Sequence, residues 1–317
     1  MGDLLEKAKR AIPADVRMYS GCRDEQTSAD VSNVTSFSLP DPQGRAGGAC
    51  TATMLQILYA DEKKLEEDLT FQEVLLKMRD VLKEKGFSQI PQLSASRPID
   101  IKEKFDLVPD NIAGTKRAVM IGINYVGDNP GELRGCHNDV FNMKKYIQDV
   151  HGFEDENITI LMDDGNHTVP TRENILAAYS KIVEESQPGD AVFCHYSGHG
   201  GKLKDDNGDE ADGYDETLVP VDYKTAGQIR DDLLYKNLVG GFKEGVFCTF
   251  VMDCCHSGSV LDLPFQFQAD GESDSMEAPA DFDFGPLLSL AASLAGGQNI
   301  GTDPGKLLAM CGSCIVS

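Results

Sequence analysis

The sequence predicts an α/β fold in which helices cover both faces of a mostly parallel β-sheet. From residue 117 onward, apolar strand-like runs alternate with segments of helical pattern. The apolar runs lack the alternation of polar and apolar residues seen in half-exposed strands, so the sheet they form is buried on both faces. We expect four such strands, at residues 117–123, 157–162, 190–196 and 246–252.

Helices are expected between and before these strands. The clearest one carries a capping box, in which Thr70 and Glu73 satisfy each other's backbone N–H groups, and it stops at Gly86. In chain order we expect a short strand at 14–19, a polar loop at 20–30, helices at 49–59 and 71–85, a strand after Pro91, a linker at 106–116, and helices at 137–150, 171–185 and 231–239. Residues 269–285 are acidic and rich in Gly, Ser and Pro, which predicts a mobile loop.

The charge of the chain excludes some classes of partner. Its 317 residues include 52 Asp and Glu against 29 Lys and Arg, a formal net charge of −23. Nucleic acids and anionic lipids require clustered basic residues, so neither is an expected partner. The acidic excess is local, because residues 1–116 hold 19 acids and 16 bases, whereas residues 117–317 hold 33 and 13. The acidic excess of residues 117–317 therefore predicts that this region binds cationic partners.

The cellular setting follows from apolar runs and cysteines. No apolar run approaches the roughly 20 residues of a membrane span, and the first residues lack the apolar stretch of a secretory signal. Nine cysteines, an odd number at irregular spacing, favour reduced thiols. We expect a soluble, cytoplasmic protein.

Two of the four predicted strands end in residues that can do chemistry. The third runs into YSGHGG at 196–201, which places His199 on a glycine-flanked turn, and the fourth runs into DCCHSG at 253–258. The carboxyl ends of parallel strands meet at one edge of the sheet, where α/β proteins bind ligands. A thiol and an imidazole at that edge are what nucleophilic attack on a peptide carbonyl requires. Either residue alone would more often be structural, so the pair carries the hypothesis.

These motifs, with DGYDETLVPVDY (212–223) between them, resemble the p20 region of metacaspases, which are caspase-like cysteine peptidases. SGCRDEQTSAD (20–30) and PQLSASRPID (91–100) resemble the p10 region of the same family. In most metacaspases p10 follows p20, and the reversed order here is that of the type III group. The resemblance implies a single globular caspase-like unit, with a p10-like region at 1–105, a linker at 106–116, a p20-like catalytic region at 117–268, and an acidic mobile loop and C-terminal segment at 269–317.

The resemblance makes Cys255 the nucleophile and His199 its partner, because the family's nucleophile is the cysteine directly before HSG. Cys254 is then a bystander. From the residues alone, the two adjacent cysteines could exchange roles or form a strained redox pair.

A carboxylate lies two residues before the expected nucleophile. Asp253 would repel an acidic P1 side chain of a substrate and attract a cationic one, or it would only orient the loop. The resemblance implies an S1 pocket formed by Asp139, Ser197 and Asp253, and cleavage after Arg or Lys, whereas caspases select Asp. Taken alone, Asp139 could serve only as a negative charge at a helix N-terminus.

The densest acidic run, DDNGDEADGYDE at 205–216, nearly fits an EF-hand loop. It has Glu210 where the sharp turn needs glycine, so a solvated acidic loop is the plainer interpretation. Carboxylates without histidine favour Ca²⁺ over zinc or copper. The resemblance places the ligands of an activating calcium ion mostly outside the run, at Asp215, Asp231, Asp232 and Asp262. Calcium there would order both the loop after His199 and the loop after Cys255.

Two further cysteine features have weaker support. Cys194 lies five residues before His199 and is a candidate for redox regulation. The CGSC motif at 311–314 is spaced like a redox or zinc pair, but its position close to the end of the chain and the lack of a second pair favour accidental spacing.

The leading hypothesis is a calcium-activated, monomeric cysteine endopeptidase that acts on peptides or proteins with a basic P1 residue and can cleave itself. Basic residues near the linker, namely Lys104, Lys116 and Arg117, are candidate sites of self-cleavage. The resemblance also suggests a role in programmed cell death. The alternatives are a catalytically silent, calcium-responsive binding protein on the same scaffold, and a thiol redox protein that uses Cys254, Cys255 and the CGSC motif.

Overall fold

The computed structural model describes most of the chain, namely residues 2–21, 30–31, 47–59, 68–128, 131–204, 213–254, 260–278, 282 and 284–295. Four features singled out above lie wholly or mostly outside the described residues: the SGCRDEQTSAD motif at 20–30, the acidic residues at 205–212, Cys255 and the CGSC motif at 311–314.

The described residues form eight α-helices and twelve strands. The helices are α1 (Gly2–Ala11), α2 (Ala49–Leu58), α3 (Phe71–Glu84), α4 (Cys136–His151), α5 (Arg172–Glu185), α6 (Tyr223–Ala226), α7 (Asp231–Asn237) and α8 (Phe284–Ala295). The strands are β1 (Asp15–Ser20), β2 (Asp30–Val31), β3 (Gly47–Gly48), β4 (Gln92–Ala95), β5 (Lys116–Gly122), β6 (Ile158–Met162), β7 (Ala191–Ser197), β8 (Gly200–Lys204), β9 (Tyr214–Leu218), β10 (Ile229–Arg230), β11 (Phe247–Asp253) and β12 (Phe265–Gln268).

Seven strands form the central sheet, in the order β12-β4-β1-β11-β7-β5-β6. The five strands from β1 to β6 in this order pair in parallel, and β4 and β12 pair antiparallel at one edge. This confirms the predicted α/β fold with a mostly parallel sheet. A smaller antiparallel sheet, β10-β9-β8, lies beyond the end of β7.

The N-terminal region supplies a central strand of the main sheet. β1 pairs in parallel with β11 over six residues, from Asp15 opposite Phe247 to Ser20 opposite Met252. The strand that leads toward Cys255 is thus flanked by β1 from one part of the chain and by β7 from the other.

The segment predicted as a linker is packed against the sheet. Leu107 and Val108 are buried, and Thr249 on β11 donates a hydrogen bond to the Leu107 carbonyl at 2.6 Å. Gly114 donates its N–H to the Gly189 carbonyl, and β5 already begins at Lys116. The connection between the two regions is therefore held along its length.

Each face of the sheet carries its own hydrophobic core. Along β7, Cys194 and Tyr196 face a core shared with α5 and α7, whereas Phe193 faces a core shared with α2, α3 and α4. Alternate residues of a strand point to opposite faces, so His195 and Ser197 share the face of Phe193. This face is where α2 and α4 meet the strand ends. Within the described residues, no helix is both long and apolar enough to cross a membrane.

Candidate active site

Three parallel strands end side by side at the edge of the sheet that carries the two motifs. Ser197, the last residue of β7, pairs with Asp253 at the end of β11 and with Gly122 at the end of β5. His199 follows Ser197 by two residues, and Cys255, which lies outside the described residues, follows Asp253 by two. The two strand ends that precede the predicted base and nucleophile in the sequence are therefore neighbours in the sheet.

Cys254 belongs to the hydrophobic core. Its side chain is buried in the cluster that includes Met252 and Val260. A thiol in apolar surroundings is inert, because catalysis needs an accessible thiolate. The environment of Cys254 argues against an exchange of roles with Cys255.

The imidazole of His199 is half-buried and is held from two sides. Its Nε2 lies 2.7 Å from the carbonyl oxygen of Gly131. A carbonyl oxygen can only accept, so Nε2 carries the proton, and Nδ1 is the free base of the neutral ring. The ring of Tyr125 packs against the imidazole, with 4.6 Å between the ring centroids. This arrangement leaves Nδ1 as the nitrogen that can take a proton from a thiol.

Two tyrosines hold the backbone of His199. Its N–H donates to the hydroxyl of Tyr125 at 2.9 Å, and the hydroxyl of Tyr196 donates to its carbonyl at 2.8 Å. Burial raises the pKa of both phenols well above the usual value, so both remain neutral.

A carboxylate that the sequence reasoning missed fixes the loop beneath His199. Asp163, directly after β6, accepts hydrogen bonds from the N–H groups of Asn124 and Val126, at 2.9 and 3.0 Å, and contacts Nε2 of His137 at 2.6 Å. Burial acts to raise the pKa of Asp163, but the hydrogen bonds from His137 and the two N–H groups bring it below the usual value. Tyr125, between the two donors, has a positive φ of 52°, which these bonds stabilise. Asp163 thus positions the tyrosine that packs on His199.

The three residues predicted to form the S1 pocket lie together at the same edge. Ser197 donates its hydroxyl to Oδ2 of Asp139 at 2.6 Å, and Asp253 is the strand partner of Ser197. All three side chains are buried. Asp139 is in the first turn of α4, as the simpler interpretation expects, yet its carboxylate is directed to Ser197 and to the N–H of Gly48.

The carboxylates predicted to bind calcium lie around the small sheet. Asp215 is buried on β9 and forms an ion pair with Arg230 on β10. Asp231 and Asp232 are the first two residues of α7 and directly follow Arg230. Arg230 is the strand partner of Thr217, which lies two residues after Asp215 on β9. Asp262 follows the undescribed residues 255–259 and has a positive φ of 49°.

The donor chemistry of these four residues fits calcium, since all are hard carboxylate oxygens. Within the ranges that the structure describes, however, no three Asp, Glu, His or Cys side chains lie close enough together to hold a metal ion. Binding of calcium would therefore require these carboxylates to move together and Asp215 to exchange its arginine partner.

Cys194 is a core residue. Its thiol is buried on β7, and burial raises its pKa well above the usual value. Its neighbours in register are Phe250 and Val119, and two other buried thiols, Cys248 and Cys254, belong to the same core cluster. A thiol with almost no thiolate is a poor target for oxidants, so the structure offers no support for redox regulation at Cys194.

Comparisons with known proteins agree with the motifs and with their order. Residues 116–264 match the model of the metacaspase peptidase C14 domain, and residues 3–100 match the caspase domain model. The p10-like part thus precedes the p20-like part.

Metacaspase III c of Phaeodactylum tricornutum is 61% identical over 284 residues, which cover 89% of this chain and 84% of that protein. Metacaspase-1 of Mycosarcoma maydis is 43% identical, over 62% of this chain and 48% of its own length. Metacaspase-1A of Neurospora crassa is 48% identical, over 51% of this chain and 36% of its own length. Only part of each fungal protein is therefore represented here. The chain belongs to the metacaspase family of caspase-like cysteine peptidases, in the type III arrangement.

Proposed function

We propose that this chain is a calcium-activated cysteine endopeptidase that cleaves after Arg or Lys and uses His199 and Cys255 as its dyad. The observation that supports this most strongly is the register of β7 and β11, in which Ser197 and Asp253 are direct neighbours. The expected catalytic residues each follow by two positions. A side chain bound by the acids would therefore lie next to the bond to be cut.

The chemistry follows from the tautomer of His199. With the Nε2–H of His199 hydrogen-bonded to the Gly131 carbonyl, Nδ1 accepts the proton of the Cys255 thiol, and the thiolate attacks the carbonyl carbon of the basic residue. The imidazolium then protonates the leaving amine. Water hydrolyses the resulting thioester with His199 as general base, which returns the thiol and the neutral imidazole.

The preference for Arg or Lys is attributed to Asp139 and Asp253. Two buried carboxylates would stabilise a guanidinium or ammonium group and would exclude an acidic P1 side chain by charge repulsion. Ser197 holds Asp139 in place through its hydroxyl.

Calcium activation is attributed to Asp215, Asp231, Asp232 and Asp262. Asp215 and Asp231 are both buried at the junction of β9 and α7, where negative charge requires a cation. A bound ion would supply that positive charge and would bring together segments that adjoin His199 and Cys255. In its absence Arg230 neutralises Asp215.

Self-cleavage, as part of this proposal, would be confined to exposed basic residues. Lys116 and Arg117 lie in strand β5 of the main sheet, where the Lys116 ammonium donates to the His151 carbonyl and Arg117 forms a 2.5 Å ion pair with Asp190. Cutting there would require β5 to leave the sheet. Lys104 is 64% exposed and is the more accessible of the three candidates.

A calcium titration of the purified protein on peptides ending in Arg, Lys or Asp tests the proposal. We expect hydrolysis of the Arg and Lys peptides only with calcium, none of the Asp peptide, and none by Cys255→Ala. Activity in excess chelator would refute the calcium part, and preference for the Asp peptide would refute the S1 assignment. Disulfide exchange without peptide hydrolysis would favour the thiol redox alternative.

A further inference from the structure

The N-terminal end of α2 contacts both acids of the proposed S1 pocket. Gly48, which precedes the helix, donates its N–H to Oδ2 of Asp139 at 2.7 Å. Thr51, in the first turn, donates its N–H to Oδ2 of Asp253 at 2.8 Å. The partners are separated by 91 and 202 residues of sequence, so the fold creates both contacts. A segment of the p10-like region thus lies directly against residues of the p20-like region.

Position 48 leaves no room for a side chain. A Cβ atom on Gly48 would lie 2.5 Å from Cγ and 2.9 Å from Oδ1 of Asp253. Non-bonded carbon atoms prefer a separation of about 3.5–4.0 Å. The backbone of Gly48, with φ −69° and ψ 141°, is one that any residue can adopt. The need for glycine therefore arises from the carboxylate of Asp253 and not from the backbone.

The donors from α2 suit a site that must keep its negative charge. The first N–H groups of a helix have no partner within the helix and carry partial positive charge, which stabilises carboxylates. The backbone donors at Gly48 and Thr51 and the hydroxyl of Ser197 are all uncharged. Such donors orient a carboxylate without cancelling its charge.

A second contact fixes α2 to the sheet at this point. The hydroxyl of Thr51 lies 3.1 Å from Nε2 of His195, which is buried on β7 two residues before Ser197. Burial lowers the pKa of His195 to about 3, so the imidazole is neutral at physiological pH. The helix is thereby anchored beside the acids without a competing positive charge.

We propose that the N-terminal end of α2 forms the back wall of the S1 pocket and that Gly48 is a specificity-determining residue. Its N–H positions Asp139, and its missing side chain leaves the space that the Asp253 carboxylate needs. This inference rests on the proposed function, because it takes Asp139 and Asp253 as the acids that bind P1. It extends the pocket to the p10-like region, which becomes part of substrate recognition.

A double-mutant cycle on stability tests the contact without any need for activity. Gly48→Ala should lower the melting temperature by roughly 5 °C in the wild-type background and by much less in the Asp253→Ala background, where the obstructing carboxylate is gone. Thr53→Ala is the matched control, because Thr53 is a buried threonine of the same helix whose hydroxyl donates to the helix's own Ala49 carbonyl. Its effect should be the same in both backgrounds. Equal losses for Gly48→Ala in both backgrounds would overturn the proposal.

Peptides that differ only in charge at P1 test the specificity. Citrulline has nearly the shape of arginine without its charge, so wild type should prefer an Arg peptide over a citrulline peptide. In Gly48→Ala we expect KM for the Arg peptide to rise and the Arg-to-citrulline ratio of kcat/KM to fall, each by about tenfold. The rate at which iodoacetamide alkylates Cys255, followed by mass spectrometry, should stay at the wild-type value.

The outcomes separate this inference from the proposed function. Wild type that prefers Arg, with the same preference in Gly48→Ala, refutes the role of α2 alone. Wild type that cleaves both peptides equally refutes the S1 assignment itself, and the inference falls with it. A slower alkylation in Gly48→Ala shows general damage at the dyad and also counts against the inference.

Discussion

The carboxylates of the proposed S1 pocket, at the carboxyl edge of the main sheet (the S1 edge), and those around the small sheet differ in the groups that bind them. The hydrogen bonds that Asp139 and Asp253 accept include ones from uncharged donors, namely backbone N–H groups and the hydroxyl of Ser197. Asp215, by contrast, forms an ion pair with the guanidinium of Arg230. Asp139, Asp253 and Asp215 are all buried, so the difference between them lies in the partner and not in exposure to solvent.

This difference implies two kinds of cation binding. A carboxylate held by neutral donors is oriented in advance and keeps its charge, which suits a pocket that binds many substrates in turn. A carboxylate paired with arginine must release one cation before it takes another, which suits a site that switches between two states. We therefore expect the S1 acids and the calcium acids to be separable by mutation.

The largest effect is expected at the S1 edge. Asp253→Asn keeps the shape and removes the charge, so kcat/KM for an Arg peptide should fall by about a hundredfold or more. The affinity for calcium, measured by titration calorimetry, should stay at the wild-type value. A parallel loss of calcium affinity would show that the two groups of carboxylates are one site.

The complementary change is made at the small sheet. Asp231→Asn should raise the calcium concentration for half-maximal activity about tenfold or more, because a hard ligand is lost, while the preference for Arg over citrulline is unchanged. Calorimetry should show the same weakening. The matched control is Asp222→Asn, since Asp222 is nearby but accepts a hydrogen bond from the N–H of Arg172. A shift in Asp222→Asn as large as that in Asp231→Asn would contradict the assignment.

A third carboxylate, Asp163, supports the loop that packs on the predicted base His199. Asp163→Asn should lower kcat about tenfold with little change in KM, because one of the two loop N–H groups loses its acceptor oxygen and Tyr125 packs less well on His199. Asp164→Asn is the control, as Asp164 bonds to His167 in its own turn. A loss confined to KM would mean that Asp163 acts on substrate binding instead.

The sequence predicted the strand-end residues well because parallel strands place their ends at one edge. Ser197 and Asp253 are paired in register, and His199 and Cys255 follow them by two positions each in the sequence, so locating the two strands was enough to group the two motifs. The face on which a residue lies follows from the alternation along a strand, and this is why Ser197 and Asp253 could be grouped.

The contacts of α2 could not be predicted in this way. Thr51 meets Asp253 across 202 residues, and no local pattern encodes such a distance. Asp163 could have been identified from the sequence, because Asp163 and Asp164 directly follow the apolar strand predicted at 157–162. Strand β12 could also have been predicted, because Phe265 and Phe267 alternate with glutamines, the pattern of a half-buried strand. α8 has an apolar helical sequence that the small residues around it obscured.

A smaller effect is expected for Arg230, which pairs with Asp215 in the proposed calcium site. Arg230→Gln should raise the affinity for calcium by roughly fivefold, because calcium no longer competes with a tethered positive charge. Calorimetry measures this without reference to activity. Lys202→Gln is the control, since Lys202 pairs at 3.0 Å with Glu216, the neighbour of Asp215 outside the predicted ligand set. An equal gain in calcium affinity in Lys202→Gln would show that Arg230 acts only through the overall positive charge of the region and not through its contact with Asp215.

The smallest effect concerns the neutral anchor of the S1 edge, His195. Burial lowers its pKa to about 3, against about 6.5 in an unfolded chain, so between these values the unfolded state binds more protons. The free energy of unfolding should therefore fall as the pH drops below about 6.5, by up to ~1.4 kcal/mol per pH unit from this residue, and should show no contribution above that pH. His195→Gln, which can still bond to Thr51, should reduce the slope in urea unfolding between pH 7.5 and 5. An unchanged slope in His195→Gln would mean that the imidazole beside the S1 acids is charged in the folded protein, and the contrast between neutral and cationic partners would fail at that point.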